Sequence, residues 1–193
     1  MVQPVPPHHS LRRLFRTLTE RSFLERLGLP DWGIVGYVSD LLTDCVQADH
    51  LYSVQDETGR PLMELSEMLK EAEACAHAHP PEREVEVHRR IGDYTLVMTG
   101  FFPEGVKRVR TIVIGRPDAL LDYVKVGKRA YRMAAESTEE STADPDARRT
   151  LVPLFRRLSS QFEVCVLGLG YVKEQLVELR TSQDPRLRRL LPS

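Results

Sequence analysis

A chain of 193 residues, 41% hydrophobic and 28% charged, carries enough apolar material for one buried core. Its net charge of −1 argues against a binder of phosphate backbones, which normally shows a broad positive balance. No apolar run is long enough to cross a bilayer, and the three scattered cysteines (Cys45, Cys75, Cys165) form no disulfide framework, so a reducing cytoplasm is expected.

The apolar period is helical almost throughout. Residues 1–9 lack the basic and apolar zones of a signal peptide and read as a flexible lead. Ser10 caps a first helix with Leu11, Leu14, Phe15 and Leu18 on one stripe, ending near Gly28 and Pro30. Asp31 caps a second through Val35, Val38, Leu42, Cys45 and Val46. After the turn at Thr58-Gly59, Pro61 opens a third, with Leu65, Met68, Leu69 and Ala72 inward. Pro80 and Pro81 stop it and start a fourth, reaching about Phe102. Ile91, Tyr94, Thr95 and Met98 form its stripe, while Leu96 and Val97 make the other side apolar, which predicts a central helix. "RTIVIG" is one strand-like run inside a connection and makes no sheet.

Asp118 opens a fifth helix with Leu120, Leu121, Val124, Gly127, Tyr131 and Ala134. The polar run over 136–145 reads as a mobile loop. A sixth helix starts near Asp146, and a seventh carries Phe162, Cys165, Leu169, Val172 and Leu176. The last two are one bent helix or a pair. Residues 182–193 form a tail. The expected fold is an all-α, single-domain bundle of six or seven helices over residues 10–181.

Most catalytic signatures are missing. There is no nucleophile elbow or P-loop, and "LGLGYV" lacks the third glycine of a dinucleotide fingerprint. Its small residues suit helix contact instead. In "EACAHAHPP", Cys75 and His79 share a helical face and His77 does not, and no second ligand pair completes a zinc set. The stretch reads as a helix ending, and no metal or cofactor is expected. Around His88 the carboxylate lies four residues away, at Glu84, rather than the three a di-iron bundle needs.

Two features remain. Asp93 sits where the fourth helix turns strongly apolar, so a buried carboxylate in need of a partner is expected. Lys128 or Arg129 on the fifth helix can supply an ion pair. Alternatively Asp93, Tyr94, Tyr123, Lys128 and Tyr131 line a polar pocket for a small ligand or cofactor. The second feature is charge segregation. Residues 31–87 carry 13 acids against 3 Lys/Arg, and residues 88–133 carry 10 Lys/Arg against 4 acids. Lys125, Lys128, Arg129 and Arg132 form one helical stripe, and residues 134–145 are acidic. Such patterning pairs neighbouring helices at their rims or orients a partner. The basic stripe, with "RRLFR" and "RLRRLL", is the whole case for nucleic acid.

"IGDYTLVMTGFFPE" (Ile91 to Glu104) followed by "DYVKVGKRAYRMAA" (Asp122 to Ala135) resembles a group of bacterial helical proteins of unassigned function. The resemblance implies a bacterial cytoplasmic protein and carries over no catalytic residue. The expected function is non-enzymatic: binding to a protein partner or to a second copy, away from any membrane. The alternative is a small-ligand or cofactor protein built around Asp93.

Overall fold

The computed structural model describes residues 10–46, 65–78, 81–104, 106, 119–141 and 144–181. Among these the chain is an all-α, single-domain helical bundle with no strand. No described helix is long and apolar enough to cross a membrane. Contacts group the chain into two compact units, residues 1–51 with 164–193 and residues 52–163.

The first unit begins with α1 (Ser10–Glu20), which buries Leu11, Phe15 and Leu18. Its last turns widen into a π-helical segment, Arg21–Arg26. Ser22 and Phe23 are both buried in it. Gly28 ends the segment at φ 63°, a conformation that glycine adopts without a steric penalty. Asp31 caps α2 (Trp32–Val46) as expected, accepting from the Ile34 N–H at 3.0 Å. Val35, Val38 and Leu42 are buried along its stripe. The unit also holds α7 (Phe162–Thr181) from Val164 onward. The Gly168 backbone lies flat on the Phe23 ring, and the Gln175 amide donates to Ser22 Oγ at 2.7 Å.

The second unit contains α3 (Leu65–Ala78), α4 (Pro81–Gly100), α5 (Ala119–Ser141) and α6 (Pro145–Ser160). Helix α4 packs against α3 and α5, and α5 packs against α6. Burial of Ile91, Leu96 and Val97 places α4 at the centre, as its two apolar sides predicted. Thr95 and Thr99 are buried too, and their hydroxyls donate to backbone carbonyls one turn back at 2.7 Å.

The polar run expected as a mobile loop is corrected in part: it stays helical through Ser141. Ser137 and Thr138 are buried, and Thr138 Oγ1 donates to the Ala134 carbonyl at 2.6 Å. Short hydroxyl side chains satisfied in this way need not break a helix. Helix α6 is capped by Asp144, whose carboxylate accepts from the Asp146 N–H at 2.9 Å, with Pro145 in the first turn. Helices α6 and α7 are a pair divided at Gln161 rather than one continuous helix. The helix start at Pro61, "RTIVIG", His79, the lead and the tail lie outside the described residues.

Candidate functional site

The sequence places Asp93 and Tyr131 on the facing helices α4 and α5. The Tyr131 hydroxyl donates to Asp93 Oδ1 at 2.8 Å. Asp93 is 5% exposed and Tyr131 is fully buried. The ring fits only because residue 92 is glycine: a Cβ there would stand 2.7 Å from it. Phe155 stacks on the ring at a centroid distance of 6.2 Å, and Phe162 tilts against it at 6.1 Å. Gly127 makes room for the Phe162 ring in the same way. Glycine spacing on α4 and α5 therefore builds a slot, and tyrosine fills it.

The other predicted pocket residues have these surroundings. Tyr94 is half-buried and packs on the α3 side, against the Met68–Ala72–Cys75 cluster. Tyr123 is half-buried near the start of α5. The Lys128 ammonium reaches Glu163 at 2.7 Å. So the expected Asp93 pocket resolves into a tyrosine-to-carboxylate hydrogen bond in a packed interior, with Lys128 on the outside. The buried Asp93 carboxylate accepts a hydrogen bond from the Tyr131 phenol, and the ammonium of Lys128 is bonded to Glu163.

Lys128 belongs to an open groove of about 350 Å³, lined by Val124, Lys125, Lys128, Arg129, Arg132 and Glu163. The stripe read from the sequence is thus real in space. Lys125, Arg129 and Arg132 are exposed. The Lys128 hydrogen bond holds the Glu163 carboxyl below its ordinary range. Ser159 Oγ donates to the Lys128 carbonyl at 2.7 Å and ties the groove floor to α6.

Within "EACAHAHPP", Cys75 lies on the inner side of α3. It is buried, its thiol points to the buried Glu71 carboxylate 3.9 Å away, and Arg83 binds Glu71 at 3.0 Å. Burial first, then the Glu71 charge, pushes the thiol pKa up. Both effects disfavour the thiolate, the form that attacks electrophiles and binds metals. No cluster of three metal-ligating side chains occurs among the described residues.

His88 is a further titratable group partly buried in this unit. It lies 3.7 Å from Glu84, yet burial lowers its pKa from the ordinary 6.5, and the Arg129 charge adds to the lowering. A lowered folded-state pKa means the protonated ring favours the unfolded chain. Its contribution to stability is therefore complete above the unfolded value of 6.5 and is lost as pH falls below it. The expected result is a drop in the thermal midpoint between about pH 7 and about pH 5 that is smaller in His88→Gln. Equal drops in both proteins would contradict this assignment.

Sequence reasoning reached Asp93, Lys128 and the basic stripe. It missed the role of Tyr131 as donor, although Tyr131 lay on the inward stripe of the fifth helix and Asp93 where the fourth turns strongly apolar. No protein-family model, no curated protein and no solved structure matches the chain.

Proposed function

We propose that the protein is a non-enzymatic helical protein that works by associating with protein, a partner chain or a second copy, through the outer face of α5. One contrast carries this reading. Asp93, Thr95 and Thr99 of the α4 interior are hydrogen-bonded within the fold, whereas the cations of α5 stand around an open groove. Asp93, the best chemical candidate, is closed off behind Tyr131. Lys125, Arg129 and Arg132 project where a folded partner can reach them. An exposed charged face of this kind sets orientation and association rate more than it sets affinity. The reading of Asp93 as the centre of a ligand site has less support, because the space beside it is filled by the Tyr131 ring.

The test is a photoreactive amino acid at Lys125, crosslinked in the host cell with the full chain. The expected result is a protein adduct from position 125 that is absent when the probe is at Val177, which is exposed on another helix. Equal adducts from both positions, or none from 125, would overturn the proposal.

A further inference from the structure

The helical continuation of α5 to Ser141 places acids on the same side as the cations. At about 100° per residue, Lys128, Glu139, Arg132, Lys125, Glu136, Arg129 and Glu140 fall within an arc of about 120°. Apart from half-buried Lys128, all of these are exposed. The order along the axis is basic first and acidic second. It is also antisymmetric about Ala134. Arg132 and Glu136 lie two residues to either side, Arg129 and Glu139 five, and Lys128 and Glu140 six.

Helix stability does not account for this order. The helix dipole favours acids in the first turn and bases in the last. The last turns of α5 carry Glu139 and Glu140 and no base. Two local pairs, Lys128 with Glu163 and Glu139 with Arg156, lie at the surface, and surface pairs hold their geometry weakly.

We infer that the occupant of this face is a second copy of the chain, with the two α5 helices antiparallel about a twofold axis at the level of Ala134. In that register Arg132, Arg129 and Lys128 of each copy meet Glu136, Glu139 and Glu140 of the other. A twofold contact needs a self-complementary surface, and a charge pattern antisymmetric about one point is such a surface. Lys125 falls just past the end of the opposite helix, where terminal carbonyls attract a cation. An acidic foreign partner would match only the first half of the stripe and be repelled by the second.

This inference rests on the proposed role of the α5 face. Its test is sedimentation of the full chain at low and high ionic strength, ~0.05 M and ~0.5 M. The wild type self-associates at low salt and loses ~tenfold or more in affinity at high salt. Arg129→Glu with Arg132→Glu leaves a stripe of five acids and two lysines, and Glu136→Lys with Glu140→Lys one of six bases and a single acid, Glu139. Each double variant alone is expected to be monomeric, and an equimolar mixture to recover the dimer. That recovery also shows that both variants are folded. A wild type that stays monomeric at both salts, or a mixture that stays monomeric beside a dimeric wild type, overturns the inference. If the wild type is monomeric while the Lys125 probe still captures a different protein, the self-association fails and the broader reading stands. If the probe captures nothing either, both fail.

Discussion

Tyr131→Ala is expected to lower the unfolding free energy by about 3–5 kcal/mol, the range for deleting a large buried aromatic side chain. The ring is fully buried between Phe155, Phe162 and the bare backbone of Gly92, so its removal leaves a void lined by atoms that cannot easily close in. Tyr131→Phe keeps the ring and removes only the hydroxyl. It deprives Asp93 of a donor at 2.8 Å in a site that is 5% exposed, which costs about 1–3 kcal/mol. Asp93 has a further interaction, so the loss stays short of that for an isolated buried charge. Urea unfolding checks both values. A neutral Tyr131→Phe would mean that the hydroxyl contributes nothing to Asp93. On the present account this variant weakens the fold yet leaves association through α5 intact, because the hydroxyl lies inside and the charged stripe outside.

The two glycines of "LGLGYV" are expected to respond with opposite signs. A Cβ on Gly168 would run into three atoms of the buried Phe23 ring, whereas one on Gly170 meets nothing within 4 Å. Both residues sit inside α7. Gly168→Ala therefore overpacks the first unit and costs about 1–3 kcal/mol. Gly170→Ala gains helix propensity without a clash and stabilises by about 0.5–1 kcal/mol. Thermal unfolding of the two single variants separates them. Changes of the same sign would contradict the packing described for α7.

Much of the fold was legible because it rests on a single period. The stripes of α1, α2 and α7, the Asp31 cap and the central place of α4 follow from where apolar residues recur. The errors occur where local chemistry competes with that period. Residues 136–141 carry the composition of a loop, yet Ser137 and Thr138 are buried on the inner face and Thr138 bonds back to the Ala134 carbonyl. The π-helical turn at Arg21–Arg26, where Phe23 packs against Gly168, has no compositional mark.

The candidate site was half legible for a related reason. Asp93 stood out as a carboxylate in apolar surroundings, but its partner was sought among cations. A tyrosine on an inward stripe reads as core, and only the facing helix shows that its hydroxyl lands on Asp93. The charge stripe was visible as far as Arg132. Its acidic continuation depends on the helix reaching Ser141, so the antisymmetry about Ala134 emerged only with the structure.

The most direct test of the central claim is native mass spectrometry of untagged full-length protein. The account predicts the mass of the bare chain with a dimer population, and loss of that dimer in Arg129→Glu with Arg132→Glu. A stoichiometric small molecule retained by the wild type and lost from Tyr131→Phe would contradict it and return the function to the interior at Asp93.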